Sequence, residues 1–170
     1  MIVIIAGIKR SGSTAQFNIV RLILEQAGYK VNVCGHSYRP REVPNGEVDL
    51  VKRHPFTQDM AKVADYIFLT DRDDKEILES LERMWGIGNP VRLKAMREDL
   101  DKWRECDESY YMYYNLIADN TIFAIRKMIE WLNVDVDELD ILKKFESIEM
   151  PENGQDPVTL FFPNHISEPK

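Results

Sequence analysis

Between a short apolar run and a stretch with helical spacing lies Gly7-Ile8-Lys9-Arg10-Ser11-Gly12-Ser13-Thr14, the segment of this chain most able to do chemistry. Its glycine spacing is that of a loop that cradles phosphate. In such a turn the backbone N–H groups and the start of the following helix point at an anion, and small residues let phosphate approach the backbone. Lys9 and Arg10 add positive charge. A nucleotide-hydrolysing loop of this kind needs a lysine directly after its second glycine, to reach the terminal phosphates. Ser13 stands there instead, which disfavours a triphosphate kinase or hydrolase. Against that, Asp71 follows an apolar run and could imitate a magnesium-binding aspartate. A tight strand-to-helix turn with surface cations is the plainer alternative for the loop.

The elements around the loop are legible from periodicity. Ile2 to Ala6 is β-branched and apolar, the pattern of a strand buried on both faces. Phe17, Val20, Leu22, Ile23, Leu24 and Ala27 then recur at helical spacing, and Gly28 supplies a stop. Lys30 to Cys34 reads as a second strand, and Val48 to Val51 as a third apolar piece that Pro55 should end. A short helical stretch around Thr57 to Ala64 leads to a buried strand at Tyr66 to Thr70. Ile77, Leu78, Leu81, Met84 and Trp85 make Asp74 to Trp85 an amphipathic helix. Val91 to Glu105 reads as a charged surface helix, Ser109 to Tyr114 as an aromatic strand, and Asn120 to Leu132 as a further amphipathic helix. The tail after Pro151 reads as loop. Strands alternating with helices predict an α/β fold with a parallel sheet covered on both faces.

Composition narrows the function classes. With 170 residues, 44% of them hydrophobic, the chain is predicted to form one domain over residues 1–170 with a sizeable core. A net charge of -7 argues against nucleic acid or an anionic membrane as partner, while leaving room for a local basic pocket. The apolar start is too short to span a bilayer, and Lys9 and Arg10 interrupt it where a signal peptide would continue. A cytoplasmic location is the expectation. Cys34 and Cys106 lie far apart with no ligand cluster around them, which predicts neither a disulfide framework nor a zinc site.

With Arg10 in the loop cation position, Lys9 to Thr14 resembles the 5'-phosphosulfate loop of sulfotransferases, usually Pro, Lys or Arg, Ser, Gly, Thr, Thr. Lys9 replaces the proline and Ser13 the first threonine. Asp71 to Ser80 is similar to the family's second donor motif, in which an arginine after a strand is followed eight positions later by a serine, as Arg72 is by Ser80. An arginine at a strand end and a serine about two turns into the next helix can converge on one phosphate. An aspartate-rich helix start stabilised by the macrodipole is the ordinary reading of the same stretch. Val51-Lys52-Arg53-His54-Pro55 is similar to the Lys-x-His segment that carries the family's catalytic histidine. His54 is the first candidate base on that ground, His36 the second, and His165 lies in a late segment similar to one near the donor in small relatives. Tyr113-Tyr114-Asn115-Leu116 resembles a strand end that follows the donor motifs, and its residues read as structural. The family's downstream Arg-Lys-Gly phosphate segment has no counterpart.

The resemblance implies a three-layer sandwich of the P-loop NTPase type. It also implies transfer of a sulfuryl group from 3'-phosphoadenylyl sulfate (PAPS) to a hydroxyl of a small-molecule or glycan acceptor, leaving adenosine 3',5'-bisphosphate and calling for no metal. His54, Arg10 and Lys9 would act catalytically, and Arg10, Ser11, Gly12, Ser13, Thr14, Arg72 and Ser80 would hold the donor. Two alternatives stay open: a small-molecule or nucleotide kinase, and a non-catalytic nucleotide-binding module. Trp85, Trp103 and Tyr110 to Tyr114 read equally as core or as acceptor pocket.

Overall fold

The computed structural model describes residues 1–35 and 37–148. Its centre is strand β1, Ile2–Gly7, every residue of which is buried. Such a strand needs neighbours on both edges and cover on both faces. Helix α1 (Ser13–Gln26) follows, then strands β2 (Lys30–Cys34) and β3 (Glu47–Lys52), helix α2 (Gln58–Ala61), strand β4 (Tyr66–Asp71), and helices α3 (Asp74–Trp85) and α4 (Pro90–Arg104). Strand β5 (Ser109–Tyr113) and helices α5 (Tyr114–Asp119), α6 (Thr121–Leu132) and α7 (Glu138–Glu146) complete the described chain.

The strands form one sheet of five in the order β2-β3-β1-β4-β5, and every pairing is parallel. Side chains along β1 alternate between the two faces, as the pleat requires. Val3 and Ile5 join the apolar layer under α1, α6 and α7, together with Phe17, Ile125 and Ile141. Ile2, Ile4 and Ala6 join the opposite layer, which α3 and α4 close with Ile77, Leu81, Leu93, Leu100 and Trp103. The three-layer α/β sandwich expected from the sequence is therefore present.

Three local differences from the sequence reading have physical causes. Helix α4 is not a surface helix: most of its charged residues face water, but Arg97 turns to the end of β4 and Leu93, Leu100 and Trp103 seal the sheet. The aromatic run is strand only to Tyr113, because Tyr114 turns into α5 and its ring leaves the sheet. Helix α7 starts at Asp137, whose carboxylate accepts from the Leu139 and Asp140 N–H groups; that cap is a local signal for a helix the sequence reading does not include.

Sheet order decides where a site can form. The chain leaves β1 toward β2 on one side and leaves β4 toward β5 on the other, although β1 and β4 are neighbours. A crevice opens beyond the carboxyl ends of two such strands, where ligands of open α/β sheets bind. Both predicted donor segments, Gly7 to Thr14 and the residues from Asp71 onward, leave the sheet at this crevice.

Candidate active site

The loop after β1 is held by its small residues. Gly7 has φ +111°, and a Cβ there would lie 2.5 Å from the Thr70 carbonyl oxygen, so β1 and β4 can approach only because this residue is glycine. The Ser11 hydroxyl is buried among the Ile8 carbonyl (2.7 Å), the Thr70 carbonyl (3.0 Å) and the Thr70 hydroxyl (2.8 Å). Of the predicted donor ligands, Ser11 is thus the one whose side chain pins the loop to β4. Arg10 has φ +71°, a left-handed conformation that costs a non-glycine residue about 1–2 kcal/mol. That conformation accompanies an arginine directed out of the loop and across the crevice.

Arg10 Nε donates to the Ser80 hydroxyl at 2.9 Å. This bond joins a cation of the first predicted motif to the serine of the second, across 70 positions of sequence. Its guanidinium also lies 5.7 Å from the ring centre of Trp85, which is 46% exposed at the end of α3. Arg72 reaches the loop indirectly. Its guanidinium stacks on the Tyr114 ring at 4.3 Å and donates to Glu76 at 2.5 Å. Tyr114 in turn packs against Gly12, where a Cβ would come within 2.4 Å of the ring. Tyr114, read from sequence as structural, is therefore the spacer between the two motifs. Only its place after β5 in a parallel sheet could have signalled that.

The third predicted segment arrives from β3, on the other side of β1. Lys52 is buried at the strand end, and its ammonium donates to the Thr14 hydroxyl at the start of α1. Sequence reading attached no role to Lys52, although it stands two positions before the candidate base. His54 Nδ1 lies 2.7 Å from the Gly7 carbonyl oxygen. A carbonyl only accepts, so Nδ1 carries the proton and Nε2 is the basic nitrogen of the neutral ring. Trp103, in the core rather than a pocket, donates its Nε1–H to the His54 carbonyl at 3.2 Å and fixes the segment from behind. Lys9 is half-buried. Burial, with the nearby Arg92 charge, holds its ammonium below the usual lysine range. Ser13 is buried in the first turn of α1. His36 and His165 lie outside the described residues.

Helix α1 begins with Gly12 at φ +91°, with no side-chain cap and no acidic residue in its first turn. Lys52 thus stands at a helix start whose own N–H groups receive no side-chain cap, an arrangement suited to an anion. Asp71 is poorly placed for magnesium: its carboxylate accepts from Arg97, from the Tyr111 hydroxyl at 2.5 Å and from the Arg72 N–H at 2.7 Å. Burial and that bond hold the Tyr111 phenol far above its usual range, so it remains a donor. Among the described residues, no group of three or more acidic, histidine or cysteine side chains could hold a metal ion. No helix among them is long and apolar enough to cross a membrane.

Fold and crevice together define a P-loop-like α/β protein. No family profile matches the chain, and no curated protein matches it. Solved structures do. Mouse sulfotransferase SULT7A1 in complex with PAP superposes with a TM-score of 0.62 at 11% identity, covering 88% of this chain and 63% of that one. Retinol dehydratase bound to retinol and PAP gives a TM-score of 0.59 at 13% identity, over 90% of this chain and 67% of that one. The same enzyme bound to androsterone and the inactive cofactor PAP gives 0.54 at 14% identity, over 88% and 64%. This chain thus spans about two thirds of the length of these proteins and shares their fold. The sulfotransferase resemblance read from the motifs is matched at the level of the fold.

Proposed function

We propose that this chain is a sulfotransferase that moves a sulfuryl group from PAPS to the hydroxyl of a small-molecule or glycan acceptor. The observation that carries the reading is the Arg10 to Ser80 hydrogen bond, which unites two separately recognised donor motifs at the sheet's switch point. Neighbours of the same fold crystallised with PAP, one with retinol and one with androsterone, support it.

In this reading the donor's 5'-phosphosulfate lies over the Gly7 to Thr14 loop and its 3'-phosphate between Arg72 and Ser80. The acceptor oxygen attacks sulfur in line. A new S–O bond forms to the acceptor, the S–O bond to the donor phosphate breaks, and its electron pair stays on the departing phosphate oxygen. His54 Nε2 takes the acceptor proton, a role open to it because Nδ1–H is committed to Gly7. Arg10 and the buried Lys52, with Lys9 behind them, balance the charge that builds on the leaving oxygen. Trp85, rather than Trp103, is the tryptophan within reach of an acceptor. A magnesium-dependent kinase finds no support in Asp71, whose carboxylate is already engaged.

Transfer of labelled sulfuryl from PAPS to a panel of hydroxyl acceptors tests the reading. Arg10→Ala is expected to lower the rate about 10²–10³-fold, the effect of removing one stabiliser of developing charge. His54→Ala is expected to lower it about 10²–10⁴-fold and to remove the limb of the pH–rate profile that reports the base. Undiminished transfer in both variants contradicts the mechanism.

A further inference from the structure

This inference rests on the donor site just proposed and concerns how that site recognises the 3'-phosphate. Glu76 and Ser80 stand four apart on one stripe of α3, and Arg72, just before the Asp73 cap, reaches back onto that stripe at Glu76. The two groups expected to meet the 3'-phosphate therefore have a carboxylate between them. Glu76 takes the Arg72 guanidinium at 2.5 Å, while the Tyr114 ring supports its flat face at 4.3 Å.

Only the end of Arg72 can move. Its backbone is fixed, because Arg97 Nη2 donates to the Arg72 carbonyl at 2.7 Å and the Arg72 N–H donates to Asp71 at 2.7 Å. The cleft of about 540 Å³ beside Arg72 is lined by Asp71, Asp73 and Asp74 together with Arg97, Tyr113 and Asn115, and Arg97 pairs with two of the three aspartates. The Arg72–Glu76 pair is partly solvated, with side-chain exposures of 23% and 45%, so it is weak enough to be exchanged.

We propose that Glu76 and Tyr114 are positioning residues that set selectivity for a 3'-phosphorylated nucleotide by partner exchange at Arg72. Without ligand, Glu76 holds the guanidinium flat on Tyr114. A dianionic 3'-phosphate accepts the guanidinium in place of the Glu76 carboxylate, while Tyr114 keeps its plane oriented toward Ser80. A nucleotide with no 3'-phosphate has nothing to offer Arg72 and leaves the pair intact. Glu76 thus competes only with ligands that use Arg72.

Calorimetry on the full chain with two probes, adenosine 3',5'-bisphosphate and adenosine 5'-monophosphate, tests this. Glu76→Gln is expected to tighten the bisphosphate about two- to fivefold at low salt, the range of an exposed ion pair, and to leave the monophosphate unchanged. Tyr114→Leu is expected to weaken the bisphosphate about three- to tenfold more than the monophosphate, by loss of the cation–π platform. Tyr114→Phe, which keeps the ring, should restore the wild-type ratio and guards against a folding defect in the leucine variant. Equal changes for both probes, or no change in Glu76→Gln, overturn the exchange while leaving the donor site standing. Failure of the wild-type chain to bind either nucleotide overturns both together.

Discussion

Two helices of this molecule begin at the same crevice and begin in opposite ways. Helix α3 is closed by the chain itself: the Asp73 carboxylate accepts from the Lys75 and Glu76 N–H groups, and Asp74 and Glu76 sit in the first turn. Helix α1 starts from a left-handed glycine, with no side-chain cap and no acid in its first turn, and has Lys52 beside it at Thr14. A helix start carries about half a positive charge in either case, and something must answer it. At α3 the sequence answers it with carboxylates; at α1 the first turn has no acidic residue and Lys52 donates to Thr14, an arrangement suited to an anionic ligand. The contrast sets the start of α1 apart from that of α3 in a protein of net charge -7.

The strongest way to break that contrast is to give α1 the chemistry of α3. Thr14→Asp places a carboxylate in the first turn, where it would pair with Lys52. Affinity for adenosine 3',5'-bisphosphate is expected to fall about 100-fold or more, because like charges would meet at close range. Stability should hold or rise by up to about 1 kcal/mol, the macrodipole contribution. Calorimetric titration beside urea unfolding reads both quantities, and unaltered nucleotide affinity would show that the anion lies elsewhere.

Gly12→Ala is expected to act next most strongly, and through the fold. The residue has φ +91° and its added Cβ would meet the Tyr114 ring at 2.4 Å. Backbone strain and a displaced ring together should lower stability by about 1–3 kcal/mol. Bisphosphate affinity should fall with it, since Tyr114 supports Arg72. A variant as stable as the parent would mean that the loop tolerates another start to α1, and that its glycine is not required by the geometry.

How much of this was legible before the structure differs between fold and site for a definite reason. Apolar runs such as Ile2 to Ala6 and Tyr66 to Thr70 carry their burial in their own composition, so the strands and the layer architecture follow from local pattern. The loop is local too, because glycine spacing is a property of consecutive residues. Tyr114 was illegible as a site residue, and Lys52, the lysine of the Lys-x-His segment, gave no sign of its contact with Thr14, since each enters the crevice from another strand end and only the order β3-β1-β4-β5 brings them there. Likewise, nothing in the spacing of Arg72 and Ser80 reveals that Arg10, rather than Arg72, bonds Ser80, or that Glu76 holds Arg72.

The smallest expected effect comes from opening α3. Asp73→Ala removes the acceptor of the Lys75 N–H bond at 2.9 Å and the Glu76 N–H bond at 3.2 Å. A lost cap of this type costs about 1 kcal/mol, within a range of about 0.5–2. Arg97 still ties the strand end to the helix through Asp71, Asp74 and the Arg72 carbonyl, so the defect should stay local and the lower half of the range applies. Urea unfolding should show a lower midpoint with an unchanged slope, the mark of a pure stability change. An unmoved midpoint would mean that water serves the N–H groups at the start of α3 as well as the Asp73 carboxylate does, and the difference between the two helix starts would then be one of neighbouring charge rather than of capping.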